Sequence, residues 1–420
     1  MTSSLPGSDD IHRVALSNGI IVLARENFNS PSINIGGTLQ VGALREVDDK
    51  LGLADFCSSM LMRGTQKRTF QQLYEELEAV GASFAYKSGT HTTAFAGKAL
   101  VEHLDILLDM LIETLSFPVF PEEYIERLRG QLLTKLAILA QDTDNMAALT
   151  LDNILYKGHP YSRPTDGYAE TVSAITQMDL FDFQRQYYTP RGMVISLTGA
   201  INTHEAVEHV AKFLGDWNPN VKVEPLILPP VIPLEQIQTQ TVQIQEKSQT
   251  TVLLGSVGPA RRDKDFLAAY VGNNILGQFG MYGRIGEVIR EQEGLAYYAY
   301  SSLSGGIGPG PWVIQLGTSP ENVEKAIQLL RNEVKRFTEQ PVSKTELEDS
   351  QSMFIGALPL SLESNEGMAF ALLNIEKYQL ELDYYRQFPD LIRTVTPQQI
   401  LETARAFLHA DKFGIAIAGS

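Results

Sequence analysis

The chain has 420 residues, a formal net charge of −16, 44% hydrophobic residues and 20% charged residues. That length exceeds what one hydrophobic core usually organises, so two or more domains are expected. An acidic chain with no run of lysine and arginine does not suit a phosphate backbone, which excludes nucleic acid as the partner; the acidity serves solubility or inclines the surface towards basic peptides.

The single cysteine, Cys57, excludes an internal disulfide and a thiolate zinc site and points to a reducing compartment. The N-terminal stretch MTSSLPGSDDIHRVALSNG lacks the apolar centre of a signal peptide. No apolar run approaches the roughly 18 residues that span a bilayer. The expectation is a cytoplasmic protein without a membrane anchor.

In chain order, IHRVALSNGIIVLARE reads as a hairpin turning at Ser17-Asn18-Gly19, followed by the strand INIGGTLQVGA. A helix is expected from about Gly52 to Leu61, another over FQQLYEELEAVG, then two alternating strands, ASFAYKSG and TTAFAGKAL. Helices follow over roughly 101–115, 121–141, 145–155 and 176–187, the last leading into the strand RGMVISLTG. The proline-rich segment WNPNVKVEPLILPPVIPLEQIQTQ has no helical period and reads as a linker, residues 217–240.

The second half repeats this order. ITQMDLFDFQRQYYTPRGMVISLTG, from Ile175, matches VTPQQILETARAFLHADKFGIAIAG, from Val395. EHLDILLDMLIETL, from Glu102, matches ENVEKAIQLLRNEV, from Glu321, and EELEAVGASFAY has its counterpart around IREQEGLAYYAY. The copies lie roughly 215–220 residues apart, so each is a domain and not a solenoid unit of typically about 20–50 residues. Two homologous α+β domains are expected, 1–216 and 241–420, each a mostly antiparallel sheet packed with helices.

The stretch Gly280–Gly310 begins with glycines, continues as a short helix with Ile285, Val288 and Ile289 at helical spacing, and stops at Gly294. The strand LAYYAYSSLS follows. Arg290 falls on the last helical turn and Tyr297 near the start of the strand, a fixed cation and a phenol suited to a peptide carbonyl or a carboxylate. Beside Glu287, Glu291 and Glu293, the same arginine also reads as a solvated salt-bridge partner. The glycines of GQFGMYG and SGGIGPG line a chamber or simply make turns; neither has the spacing of a phosphate loop. His204 and His209, beside Glu205 and Glu208, lie five apart, about 140° around a helix, and share no metal-binding face. His91 and His103 have no partner at ligand spacing and read as ordinary structural histidines, and His159 lies in the loop GHPY with no chemical role assigned to it. Cys57 reads most simply as a small buried side chain.

The helix GLADFCSSMLMRGT, the R-x6-Y spacing of Arg290 and Tyr297 within IREQEGLAY, the stretch HPYSRPTDGYAETVSAIT and the two-domain repeat together resemble the pitrilysin/insulinase family of zinc metallopeptidases, the inverzincins. The likeness extends over nearly the whole chain and is strongest to short bacterial members and to mitochondrial processing peptidase subunits. In that family the first-half helix carries H-x-x-E-H, two zinc ligands and a water-activating glutamate, and a later helix adds a third ligand. Here the histidine positions hold Asp55 and Ser59, the glutamate position holds Ser58, and the third-ligand position falls near Lys135. Serine is a poor zinc ligand, one aspartate does not hold the ion alone, and an ammonium repels it. A serine also supplies no base for water. The resemblance therefore implies a subunit with no metal or cofactor of its own. Its partner would be a homologous zinc-bearing subunit in a heterodimer that hydrolyses peptides, to which this chain contributes Arg290 and Tyr297 as substrate-binding groups. A non-proteolytic structural or peptide-binding role within the family is the alternative reading.

Overall fold

The computed structural model describes residues 5–420. The chain forms two mixed sheets packed with helices, assigned to two compact units that are described in turn.

The first sheet contains β1 (His12–Ala15), β2 (Ile21–Glu26), β3 (Ser32–Leu39), β4 (Ser83–Ser88), β5 (Thr93–Leu100) and β6 (Val194–Gly199), in the order β1-β2-β6-β3-β5-β4. The expected hairpin joins β1 to β2; Gly19, at φ +92°, takes the left-handed turn position that a side chain would strain. All pairs are antiparallel except β2 with β6. One face of this sheet is covered by α1 (Leu53–Met60), α2 (Phe70–Ala79), α3 (Leu104–Ser116), α4 (Glu122–Leu139), α6 (Ala169–Ser173), α7 (Gln177–Tyr187) and α8 (Thr203–Leu214), whose apolar sides meet Val22, Ala24, Ile33, Ile35, Ile195 and Leu197 in one core. Capping boxes at Thr69/Gln72 and Thr176/Asp179 set the starts of α2 and α7.

The second sheet contains β7 (Gln238–Gln243), β8 (Thr250–Val257), β9 (Ala296–Gly305), β10 (Pro309–Thr318) and β11 (Gly414–Gly419), in the order β7-β11-β8-β10-β9, again with one parallel pair, β7 with β11. Without β1, the first sheet has the same order, strand for strand. Its helices are α9 (Phe266–Gly277), α10 (Phe279–Gly286), α11 (Val323–Glu339), α12 (Lys344–Ser361), α14 (Tyr384–Arg393) and α15 (Pro397–Phe407). The internal repeat read from the sequence is thus a repeat of topology.

The domain boundaries differ from the contiguous halves expected. By packing, the first unit comprises residues 5–136, 164–227 and 358–386, and the second 137–163, 228–357 and 387–420. The reason is a reciprocal exchange of one helix. α5 (Thr143–Leu155) follows the first long helix pair in sequence, yet its Ala147, Leu151 and Leu155 pack on Leu253, Val313 and Ala416 of the second sheet. Its counterpart, α13 (Asn365–Lys377), lays Leu372 and Ile375 against Leu23 and Val194 of the first. Covering both faces excludes water from the central strands, which is why β6, VISLTG, is buried at every position. The linker expected over 217–240 ends sooner: strand β7 starts at Gln238, because its backbone pairs with β11 from that residue on.

Candidate functional site

In the first unit, α1 carries three of the four positions that the resemblance singles out, Asp55, Ser58 and Ser59. Its start is fixed by the buried carboxylate of Glu46, which accepts from the amides of Gly52 (3.1 Å) and Ala54 (2.7 Å), donors that a helix N-terminus otherwise leaves without partners. Gly52, at φ +93°, also lets Asp166 approach: a Cβ there would lie 2.8 Å from the Asp166 carbonyl. The turn Pro164–Gly167 is thereby seated at the head of α1, and Thr171 Oγ1 donates to the Leu51 carbonyl at 2.7 Å to hold it there.

This brings Asp166 into the cluster with Asp55 and Lys135. Lys135 Nζ, on α4, donates to Asp166 Oδ1 at 2.8 Å. Asp55 is half-buried; burial raises its pKa above the ordinary carboxylate value and the Asp166 charge adds to this, while Lys135 and Lys87 pull the other way. Ser58 is buried, and its Oγ donates back to the Asp55 carbonyl at 3.0 Å, so its hydroxyl is turned to its own helix. Ser59 is half-buried on the same helix. Asp166 lies in a stretch quoted for the resemblance, but its neighbourhood to Asp55 depends on the close approach of Gly52 at the helix head and Gly167 in the turn, and is not marked by any spacing in the sequence. Among the described residues, no three His, Cys, Asp or Glu side chains gather as a metal site needs. The donors present, one half-buried carboxylate beside two serines and a lysine already bound to a second carboxylate, do not fit a zinc ion.

Cys57 lies fully buried on the inner face of α1, its thiol pushed up to about 12 by burial, with Sγ directed to the Leu180 carbonyl at 3.9 Å. A thiol held protonated in this way is no nucleophile at neutral pH. His209 pairs with Asp105 on α3 at 2.6 Å, whereas His204 sits against the His12 ring, so the two histidines of α8 face separate neighbours.

In the second unit, Arg290 and Tyr297 flank a break in regular structure. α10 gives way to a π-helical turn over Glu287–Gln292, which ends at Gly294 with φ +62°. The Gly294 amide donates to the Arg290 carbonyl and the Leu295 amide to the Ile289 carbonyl, closing the turn. Such wide turns recur where a helix presents a functional side chain. α10 itself is anchored by Arg284, whose Nε and Nη2 donate to both carboxylate oxygens of Glu346 on α12 at 2.6 and 2.8 Å. This forked pair depresses Glu346 to about 2. Arg290 donates from Nε (2.8 Å) and Nη2 (2.5 Å) to Glu291 Oε1, so the acidic pairing anticipated for it is made.

Tyr297 stands in a β-bulge. Across β9 and β10, Gly317 pairs with Tyr298 and Thr318 with Ala296, leaving Tyr297 as the extra residue. The bulge directs its side chain to solvent, where the residue is 82% exposed. Tyr298, its neighbour, turns inward and donates to Asp144 Oδ1 at 2.7 Å. Thr318 Oγ1 donates to the Leu295 carbonyl at 2.6 Å and secures the strand start. Sequence periodicity places Tyr297 on the strand but does not show the bulge; the glycine at 317, where a Cβ would meet the Tyr298 ring at 2.7 Å, is its trace in the sequence.

Two sheets of one strand order, each packed with helices, define a two-domain chain built from one repeated α+β fold. Residues 21–167 match the model of the insulinase (peptidase family M16) domain and residues 174–354 that of the peptidase M16 inactive domain. The chain belongs to peptidase family M16. It is 25% identical over 354 residues to an uncharacterized zinc protease of Bacillus subtilis, covering 84% of this chain and 85% of that one. Over 198 residues, 47% of this chain and 37% of the other, it is 32% identical to a probable mitochondrial-processing peptidase subunit beta of Arabidopsis thaliana. A crystal structure of a peptidase M16 inactive domain from Pseudomonas fluorescens superposes with a TM-score of 0.91 at 24% identity, covering 98% of each chain. None of the helices among the described residues is long and apolar enough to cross a membrane.

Proposed function

We propose that this chain is the metal-free subunit of a heteromeric zinc peptidase, lending Arg290 and Tyr297 to the active site of a homologous zinc-bearing partner. The observation that carries the proposal is the donor set on α1 and α4. Ser58 is hydrogen-bonded to its own helix and Lys135 is tied to Asp166, which leaves Asp55 as the one carboxylate among the four positions. One carboxylate alone does not hold zinc, and the serine at the glutamate position supplies no base for water. The substrate peptide lies as an added strand along a sheet edge. Arg290 holds a peptide carbonyl, and the Tyr297 phenol, already turned to solvent by the bulge, donates to the oxyanion that forms when water attacks. The likeness to a processing-peptidase subunit supports a two-chain assembly.

The test is reconstitution. Peptide hydrolysis is expected only when a zinc-bearing homologue from the same source is added to the purified chain. In that complex, Arg290→Ala or Tyr297→Phe lowers kcat/KM by roughly 10- to 1,000-fold, the range of a lost oxyanion donor. Stoichiometric zinc on the isolated chain together with unaided cleavage would sink the proposal; full activity in both variants would remove the pair from the mechanism. The Arg290–Glu291 ion pair favours the second reading, a structural or peptide-binding member of the family. It predicts peptide binding that no partner converts into hydrolysis.

A further inference from the structure

The connector between α8 and β7 is pinned at two points by side chains that donate to its backbone. On the first unit, Arg45 Nη1 donates to the Glu224 carbonyl at 2.9 Å, and its guanidinium lies over the Tyr187 ring, 5.6 Å from the centroid. On the second, His159 Nε2 bonds the Pro229 carbonyl at 3.0 Å, and Val231 and Leu234 then pack beside Tyr156 and Tyr161. Between the pins lie Pro225, Leu226, Ile227 and Leu228, three of them exposed.

Both partners of His159 dictate its protonation. The Tyr161 amide, which can only donate, points at Nδ1 from 3.0 Å, so Nδ1 is the acceptor. A carbonyl can only accept, so Nε2 carries the proton. The ring is therefore the neutral Nε2–H form. Buried to 6% exposure, it stacks edge-on with Tyr161 at 4.5 Å and lies near Tyr156 at 6.2 Å. Asp152 faces this cluster from α5, Tyr156 from the residue that caps its end and Tyr161 from the turn after it; the connector brings no titratable side chain between residues 228 and 234. A second proton on the ring would set N–H against N–H at Nδ1 and break the geometry that aims Nε2 at Pro229. Burial accordingly holds the ring's pKa below its ordinary value, opposed by the Pro229 bond.

We propose that His159 is a clasp that, in its neutral form, fixes the second anchor of the connector and confines bending to Pro225–Leu228, and that protonation opens it. Two measurements on the full chain test this. A long-range 1H–15N spectrum at about pH 7.5 is expected to show His159 as the Nε2–H tautomer; the Nδ1–H tautomer or an imidazolium overturns the proposal. Hydrogen exchange, corrected for intrinsic rates, is then followed over residues 228–237. His159→Phe, which keeps the ring stack and loses the bond, is expected to exchange roughly fivefold faster there, as one net hydrogen bond requires. Residues 217–224 stay unchanged. Lowering the pH from about 7.5 to 4.5 moves the wild type towards His159→Phe but leaves His159→Phe where it was. His159→Gln, with an amide donor and no ionisation, keeps slow exchange at both pH values, and it decides the matter if the Phe variant is unfolded by circular dichroism. Equal rates in wild type and variant, or an acid response that His159→Gln shares, overturns the clasp.

Discussion

Asp55 keeps a carboxyl where the resemblance places a metal ligand, and its surroundings show what that costs. Burial and the charge of Asp166 raise its pKa against the pull of Lys135 and Lys87. A carboxyl whose folded pKa is raised adds no penalty below its unfolded pKa and the full penalty above the folded one. Asp55→Asn is therefore expected to stabilise the protein at about pH 7.5, raising Tm by roughly 1–3 °C, with the gain vanishing as the pH falls below about 4. Thermal melts of both proteins across that range decide it. A lower Tm in the variant would mean that Lys135 and Lys87 outweigh burial. Which residue types stand where the resemblance sets metal ligands could be read from the sequence directly. The contribution of Asp166 could not, because it depends on how closely a glycine turn approaches the helix.

At the scale of elements, the candidate site in the second unit depends on irregular backbone. Gly283 has φ +62° inside α10, and a Cβ there would stand 2.5 Å from the Ile275 carbonyl of α9. Backbone does not yield as a flexible side chain would. Gly283→Ala is expected to destabilise by roughly 2–3 kcal/mol, read from urea unfolding, and to lower activity of the reconstituted complex by displacing the π-turn that carries Arg290. Gly280→Ala is the matched control: its φ is +58°, but open space surrounds it, so the cost is roughly 1 kcal/mol. Equal losses in the two variants would show that close packing at Gly283 is not the determining factor. Strand and helix order could be read from apolar periodicity, the hairpin from its Asn-Gly turn, and Gly294 from its place after the helix. Periodicity gives the face that an element buries and not the partner that covers it. Hence the exchange of α5 and α13 was hidden, although the run IIVLA, apolar on both sides of β2, already signals a sheet covered on both faces. The bulge at Tyr297 was hidden for a related reason: two against one is a property of the pair of strands, not of either one.

For the whole molecule, half-buried and buried titratable groups of opposite sign shape the response to acid. Burial, assisted by Lys377, lowers His91 to about 4, and His159 is lowered as well. A histidine with a depressed pKa contributes full stability above about pH 6.5, and this is lost as the pH falls towards its folded value, because the unfolded chain binds the proton first. Asp152 on α5 acts in the opposite sense. Burial raises it to about 6, so the folded state takes up the proton first and stability falls as pH rises from about 4 to 6. The two slopes overlap between about pH 4 and 6, where each masks the other, and the wild-type profile of Tm against pH is expected to be shallow there. Asp152→Asn removes one of them. It should stabilise the protein by roughly 1–3 kcal/mol at about pH 7.5, leave it unchanged near pH 4, and so turn the shallow region into a steady decline on acidification. His91→Gln should do the reverse and leave a profile that rises as pH drops from 6 to 4. Variant profiles that run parallel to the wild type over this range would show that neither group titrates differently in the folded and unfolded chains.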